Sequence, residues 1–217
     1  MEKKITRVYI IRHGESISNR QGIFTGNTDI DLSEMGYRQA ELVGEYLADK
    51  GIEAVYSSDL IRAYHTSLPT ARMLGLESIR TRGFREVNGG EWEKKRYADL
   101  FELYPDEYPI FAHDVGNAVC TGGEAVKDLY ARVNAEFDRV FNIERGRTFA
   151  IFSHATPVRA MVCRFLGKGP EDMKDIKWVA NASVTMVETE DGESFRIVVA
   201  GTKEHLGELL SELPKEV

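Results

Sequence analysis

Short apolar runs bounded by polar residues occur at three places in the chain, at 7–11, 54–58 and 148–153. Continuous apolar runs of this length are typical of strands that are covered on both faces of a sheet. Segments with a helical repeat of apolar residues lie between them. This alternation predicts an α/β fold, a three-layer sandwich in which a mainly parallel central sheet carries helices on both faces.

Four segments place apolar residues at helical spacing, and we expect helices at about 34–49, 59–69, 124–141 and 156–167. Ser33 can cap the first of these helices. Pro69 should disturb or end the second, because proline removes a helical hydrogen bond. Pro157 lies near the first turn of the last helix and Gly167 lies at its end, which is the usual asymmetry of helix termini.

Two stretches of the chain depart from this alternation. Asp191 and Gly192 lie between two β-rich runs, which is a hairpin signal and predicts antiparallel strands at one end of the sheet. At 84–124 the periodicity weakens, and we interpret this stretch as a partly helical excursion over one end of the sheet. Such an insertion can cap a site. We therefore predict a single domain over 1–217 that contains a cap-like insertion.

Length and charge limit the classes of function. A chain of 217 residues without a Pro/Gly/Ser-rich tract fits one compact domain. Its 28 Lys and Arg residues against 35 Asp and Glu residues give a net charge of −7, without a long run of either sign. This balance argues against a nucleic acid or an anionic membrane as a partner. The amino-terminal apolar segment is too short for a signal peptide or a membrane span.

The two cysteines of the sequence, Cys120 and Cys163, lie far apart and form no metal-like pair. Neither of them starts the loop of the thiol-based phosphatases, because neither is followed by arginine six positions later. We expect reduced thiols in a cytoplasmic protein. The sequence does not fix the oligomeric state, and a homodimer is compatible with it.

Polar residues follow three of the predicted strands directly. Arg12 and His13 come after the first run, Ser57 and Ser58 end the second with Arg62 just beyond, and Ser153 ends the run 148–153 with His154 directly after it. In an open α/β sheet, ligands bind outside the carboxyl ends of the strands. We therefore expect two arginines and two histidines at one crevice, with no obvious carboxylate partners. Such a pocket favours an anion.

A phosphate group is the anion that such a pocket would suit best. Guanidinium groups and the N–H groups of helix amino termini would bind it together, without a metal ion. The sequence contains none of the common motifs that handle phosphate through magnesium or zinc. The stretch DIDLS, at 29–33, resembles the start of the magnesium-dependent aspartate phosphatases. It follows no apolar strand, and we interpret it as the start of a helix.

Six segments, in chain order, carry a resemblance to a known family: RHGESISN, FTGNTDIDLSEMGYRQA, YSSDLIRAYHT, REVNGGEWE, TGGEAVKDLYARV and IFSHATPVRA. They are similar to the signature segments of the histidine phosphatase superfamily, the phosphoglycerate-mutase-like enzymes. The resemblance extends over nearly the whole chain. It implies a phosphomonoesterase of the histidine acid phosphatase type that acts on a small phosphorylated metabolite, with no cofactor and no metal ion.

The resemblance also implies the role of each site residue. His13 would be the nucleophile that becomes phosphohistidine, and Glu86 would be the general acid and base. The phosphoryl oxygens would be bound by three further side chains of the catalytic set, Arg12, Arg62 and His154. The same group and the rest of the substrate would contact the following residues: Ser16, Asn19, Thr25, Gly26 and the amide of Ala155.

Three functions stay open, and the acid-bearing loop departs from the family pattern in a way that bears on access and substrate choice near Glu86. Gly89 and Lys94 stand where the acid-bearing loop usually has an aromatic residue and a glycine. The short interval after Glu86 favours a phosphatase, whereas the basic cluster 94–96 leaves open a cofactor-dependent phosphoryl transfer of the phosphoglycerate mutase type or a substrate with a second acidic group. A non-catalytic phosphate-binding regulatory protein is a third alternative. It is disfavoured because the whole catalytic set is present.

Overall fold

One sheet of six strands organises the protein, and the computed structural model describes residues 4–211 of it. The strands are β1 (Thr6–Arg12), β2 (Ala54–Ser58), β3 (Ser78–Thr81), β4 (Thr148–Ser153), β5 (Val184–Thr189) and β6 (Arg196–Thr202). Their order across the sheet is β3-β2-β4-β1-β5-β6. Strands β1 to β4 are parallel, and β5 is antiparallel to both β1 and β6. The predicted mixed sheet is confirmed.

Seven α-helices surround the sheet within the described residues: α1 (Ile17–Gln21), α2 (Glu34–Leu47), α3 (Ile61–Leu74), α4 (Tyr97–Leu103), α5 (Tyr108–His113), α6 (Val126–Glu144) and α7 (Ala155–Phe165). No helix in this part of the chain is both long and apolar enough to cross a membrane.

Strand β1 supplies side chains to two separate clusters, because successive residues of a strand point to opposite faces. Val8 and Ile10 pack in the cluster that contains α6 and α7. Tyr9 and Ile11 pack in the cluster that contains α2. Two helical layers with the sheet between them give the predicted three-layer sandwich.

Helix α3 differs from the sequence prediction. It continues through Pro69 and ends at Leu74, and Gly75 follows it in the left-handed region at φ 67°. The proline packs closely against α2 at Gly44, where an added Cβ would lie 3.1 Å from the Cβ of Pro69. This packing offsets the lost hydrogen bond. Strand β3, which is short and partly exposed, was not predicted.

The antiparallel end and the irregular stretch agree with the sequence. Strands β5 and β6 pair directly, and the carboxylate of Asp191 accepts hydrogen bonds from the N–H groups of Glu193 and Ser194 in the turn between them. The stretch 84–124 contains α4, α5 and two single 3₁₀ turns. Its buried aromatic side chains, including Trp92 and Tyr108, continue the same cluster that covers the sheet.

Candidate active site

The carboxyl ends of β1 and β4 bring two histidines together. Arg12 is paired with Ser153 in the register of these parallel neighbours, so the next residue of each strand, His13 and His154, leaves the sheet at the same edge. The centroids of the two imidazole rings lie 5.1 Å apart, with an angle of 62° between the ring planes. The predicted meeting of the strand ends is therefore present.

The imidazole of His13 is held in one orientation. Its Nδ1 lies 2.6 Å from the carbonyl oxygen of Gly14, which assigns the ring proton to Nδ1 and leaves Nε2 with a lone pair. Burial, reinforced by the charges of Arg62 and Arg12, lowers the pKa of His13 well below 6.5. The ring is therefore neutral at pH 7, the state in which imidazole is a nucleophile.

The turn after His13 is fixed by a close approach of two main chains. A Cβ on Gly14 would lie 2.6 Å from the carbonyl oxygen of Gly36, so only glycine fits there. The side-chain amide of Asn181 donates to the carbonyl oxygen of His13 at 3.1 Å and to Oδ1 of Asn19 at 3.1 Å. Asn181 was not predicted, and its only signal in the sequence is its place just before a strand.

The guanidinium groups of Arg12 and Arg62 are held by main-chain carbonyl oxygens. Arg12 donates to Val179 at 2.6 Å, and Arg62 donates to Gly26 at 2.7 Å and to Thr28 at 3.1 Å. Neither arginine forms an ion pair with another residue of the described chain. Burial lowers the pKa of Arg62 to about 10, so it stays charged at neutral pH. Both charges are free to bind an anion.

The loop that supplies these carbonyl groups is fixed by Glu93. Its carboxylate accepts hydrogen bonds from the main-chain N–H groups of Gly26, Asn27, Thr28 and Gly89, at distances from 2.7 to 3.2 Å. One carboxylate thus joins the loop that holds Arg62 to the loop that contains the predicted acid.

Glu86 is a buried carboxylate with two main-chain donors. Its Oε1 accepts from the N–H of Val87 at 2.8 Å, and its Oε2 accepts from the N–H of Thr156 at 3.2 Å, in the first turn of α7. Its exposed fraction is 8%. These contacts hold the carboxylate at the wall of the cavity described below.

His154 lies behind His13 and is fully buried. Its Nε2 lies 2.8 Å from the hydroxyl oxygen of Ser58, at the end of β2, and its Nδ1 has no hydrogen-bond partner among residues 4–211. Burial, together with the charge of Arg62, lowers the pKa of His154 well below 6.5. We call Arg12, His13, Arg62 and His154 the strand-end cluster.

A cavity of about 600 Å³, including its open mouth, lies above this cluster. The predicted site residues that line it are Arg12, His13, Ser16, Asn19, Thr25, Arg62, Glu86 and Ala155. His154 and Gly26 do not line the cavity but contact residues that do. The lining residues that the sequence did not predict are Phe24, Val87, Tyr97, Phe111, Thr156 and Trp178.

The aspartates of the stretch 29–33 have structural partners. Asp29 accepts from the first N–H of α3, at Ile61, and Asp31 accepts from the hydroxyl of Tyr37. Ser33 caps α2 by accepting from the N–H of Gly36, so the stretch is the start of a helix, as predicted. The described residues contain no group of three His, Cys, Asp or Glu side chains that could hold a metal ion.

Comparison with known structures agrees with this α/β fold. The family model of the histidine phosphatase superfamily (branch 1) matches residues 8–202. The chain therefore belongs to the histidine phosphatase superfamily.

Its relatives include phosphatases and mutase-like proteins. Phosphoserine phosphatase 1 of Hydrogenobacter thermophilus is 30% identical over 98% of this chain and 100% of its own length. The phosphoglycerate mutase-like protein 4 of Arabidopsis thaliana is 28% identical over 93% of this chain and 87% of its own length. A mycobacterial glucosyl-3-phosphoglycerate phosphatase structure has the same fold, with a TM-score of 0.83, 24% identity and coverage of 92% and 100%.

Proposed function

We propose that this protein is a metal-independent phosphomonoester hydrolase that acts through a phosphohistidine intermediate on His13, with Glu86 as general acid and base. The observation that carries the proposal is the fixed imidazole of His13. Its Nδ1–H donates to the carbonyl oxygen of Gly14, and its Nε2 keeps a lone pair in a cavity that two arginines also line. The phosphatases among its relatives support the same reaction.

In the first step, Nε2 of His13 attacks phosphorus in line with the ester oxygen. The N–P bond forms, the P–O bond of the ester breaks, and the protonated carboxyl of Glu86 gives its proton to the leaving alkoxide. The charge on the equatorial oxygens is stabilised by Arg12 and Arg62, with Nδ1 of His154 as a further donor. Most of the rate enhancement of phosphoryl transfer comes from such stabilisation.

In the second step, a water molecule attacks the phosphohistidine. The carboxylate of Glu86 takes a proton from the water, the N–P bond breaks, and inorganic phosphate leaves together with a neutral His13. The same carboxyl group therefore serves both steps. Its fixed position on the N–H groups of Val87 and Thr156 suits a group that must act twice at one place.

The remaining site residues hold the substrate in this proposal. Ser16, Asn19, Thr25 and the amide of Ala155 line the cavity and would bind the phosphoryl group and the adjoining part of a small phosphorylated metabolite. Gly26 would act through Arg62, because its carbonyl oxygen accepts from that side chain. The stretch 84–124 would act as a cap within a single domain, because it contributes Tyr97 and Phe111 to the lining of the cavity.

The position of the basic cluster 94–96 weighs against a mutase. Lys94 and Arg96 are exposed, Lys95 donates to the carbonyl oxygen of Glu91, and none of the three lines the cavity. A second acidic group of a bound substrate would therefore not contact these three basic side chains. A purely phosphate-binding protein is disfavoured, since the nucleophile, the acid and the phosphate-binding groups are held near one cavity.

The proposal is tested with p-nitrophenyl phosphate in the presence of excess chelator. We expect turnover by the native protein and by His113→Gln, a control histidine in α5, and loss of turnover in His13→Gln. With a ³²P-labelled substrate, rapid quenching in alkali should trap an alkali-stable, acid-labile label on the native chain and none on His13→Gln. Turnover by His13→Gln, or activity that requires magnesium, would contradict the proposal.

A further inference from the structure

The cavity is lined by side chains of two kinds. One set is charged or polar and includes Arg12, His13, Arg62 and Glu86. The other set consists of four aromatic side chains, which we call the aromatic wall: Phe24, Tyr97, Phe111 and Trp178. Once the phosphoryl group of a phosphomonoester is bound by the arginines, the wall is the apolar surface left for the alcohol part.

The aromatic wall is one connected array, although its members come from four separate segments. The ring of Phe24 lies 5.7 Å from that of Tyr97 and 5.6 Å from that of Phe111, and the ring of Phe111 lies 6.2 Å from that of Trp178. These separations are typical of edge and tilted ring contacts that fix each ring against the next. The wall is therefore preformed rather than assembled by the substrate.

Trp178 is supported from outside the cavity. The guanidinium of Arg159 lies 4.0 Å from its ring centroid and donates to the carbonyl oxygen of Met173 at 2.6 Å. Arg159 is 3% exposed and does not line the cavity. This cation–π contact stabilises the position of the Trp178 ring. The charge of Arg159 is not available to a substrate in the cavity.

The balance of charge in the cavity allows for one anionic group. Among the described residues, Arg12 and Arg62 are the only arginine or lysine side chains that line it. A bound phosphoryl dianion matches these two positive charges. A second anionic group on the substrate would find no further cationic partner among the lining residues, and burial of an unpaired carboxylate is costly.

The polar group that the aromatic wall does present is neutral. Burial raises the pKa of Tyr97 to about 12, so its hydroxyl keeps its proton at neutral pH. Tyr97 lines the cavity, so this hydroxyl can serve a neutral oxygen or nitrogen of a substrate as a hydrogen-bond partner. The wall therefore accepts apolar surface, and its polar contacts, such as the Tyr97 hydroxyl, are uncharged.

From these contacts we infer the substrate class of the proposed hydrolase: a phosphomonoester whose alcohol part is uncharged and largely apolar or aromatic, with no second anionic group. The inference rests on the proposed function. It separates this chain from the activity named for its Hydrogenobacter relative, since phosphoserine carries a carboxylate. Trp178 and Tyr97 are the side chains that make the selection.

Matched pairs of esters test this inference. The first pair is benzyl phosphate and 4-carboxybenzyl phosphate, and the second is glycerol 3-phosphate and 3-phosphoglycerate, with phosphoserine as a further anionic ester. We expect kcat/KM to be higher for the uncharged member, by about 30-fold or more in the benzyl pair and about 10-fold in the glycerol pair, because a desolvated carboxylate has no partner.

A variant of the wall separates selection from folding. In Trp178→Leu, we expect kcat/KM for benzyl phosphate to fall about 10-fold, as one aromatic contact is lost, while the inhibition constant of inorganic phosphate changes less than about 3-fold. Leu103→Ala, which alters an exposed side chain of α4 outside the cavity, is the matched control and should change neither value.

Each failure has a distinct meaning. Equal or higher kcat/KM for the carboxylated members overturns this substrate class and leaves the hydrolase proposal standing. A parallel loss of phosphate inhibition and of benzyl phosphate turnover in Trp178→Leu assigns this residue to the fold and overturns its role in selection. If folded native protein hydrolyses none of the esters, the hydrolase proposal fails and the inference fails with it.

Discussion

Three members of the strand-end cluster line the same cavity as the aromatic wall, but the two groups of side chains are held in place by different forces. The arginines and histidines of the cluster are oriented by hydrogen bonds to main-chain carbonyls and to a hydroxyl at the end of a strand. The members of the wall are oriented by ring contacts among loops and short helices. The geometry of the strand-end cluster thus depends on the register of the sheet. The geometry of the aromatic wall depends on side-chain packing, which can change without a change in the sheet.

This difference indicates how reaction and selection are divided. Buried guanidinium and imidazole groups lose hydration, and each needs a fixed partner to be stable there. The sheet provides such partners at the ends of adjacent strands. Apolar rings need no such partners and gain stability from burial itself. Replacement of a ring therefore alters the alcohol part that fits, while the proposed phosphoryl chemistry stays in place.

Substitution of Glu86 by glutamine should have the largest effect. In the proposed mechanism the amide cannot donate a proton to the leaving alkoxide, so kcat with benzyl phosphate should fall by about 10² to 10³-fold. The affinity for inorganic phosphate, measured by calorimetry, should change less than about 3-fold, because the arginines remain. A fall in kcat with unchanged phosphate affinity would assign proton transfer to Glu86 and phosphate binding to the arginines.

The control for this substitution is Glu91→Gln. Glu91 belongs to the same loop and does not line the cavity, so neither kcat nor phosphate binding should change. Unchanged turnover in Glu86→Gln would remove Glu86 from the mechanism. A smaller fall with an ester whose leaving group is a good one, such as p-nitrophenyl phosphate, would support its role as the acid.

The sequence predicted the strand-end cluster better than the wall, and the reason is physical. An apolar run followed at once by Arg12 and His13 places those residues at a strand end, and parallel strands share that edge. No comparable rule predicts the aromatic wall, because Phe111 and Trp178 lie in stretches of the sequence without a helical or strand period. Their rings meet only after the sheet and helices have packed, so no local pattern contains the contact.

The errors about the fold have a similar origin. The break expected at Pro69 follows from a local rule, but the close packing of α2 against α3 at Gly44 overrides it. Strand β3 has only four residues and is partly exposed, so it lacks the apolar run by which the other strands of the parallel part were found. Asn181 was missed because a loop asparagine acquires its role only from what it contacts.

The strand-end cluster should also make stability depend on pH. The pKa values of His13 and His154 lie well below 6.5 in the folded protein, because burial and the arginines disfavour their charged forms. In the unfolded chain both are about 6.5. Below that pH the unfolded chain therefore binds more protons, and the free energy of unfolding should fall by up to about 1.4 kcal/mol per pH unit for each histidine.

Urea unfolding at pH 7.5, 6.5 and 5.5 measures this dependence in a phosphate-free buffer, because bound phosphate would stabilise the folded state. The difference between the native protein and His13→Gln in this pH dependence measures the contribution of His13. The variant should lose less stability between pH 6.5 and 5.5 than the native protein does. Parallel curves for the two proteins would mean that the pKa of His13 is the same in the folded and the unfolded protein, which would contradict the prediction.

The smallest effect is expected at Lys94, in the loop that joins the acid to the aromatic wall. Its φ of 66° lies in the left-handed region, which costs a residue with a side chain about 1 to 2 kcal/mol and costs glycine nothing. Lys94→Gly should raise the free energy of unfolding by roughly 0.5 to 1 kcal/mol, since glycine also adds freedom to the unfolded chain. Lys94→Ala removes the same charge but keeps the Cβ, and it should not stabilise. An equal gain in both variants would attribute the effect to charge and leave the loop unstrained.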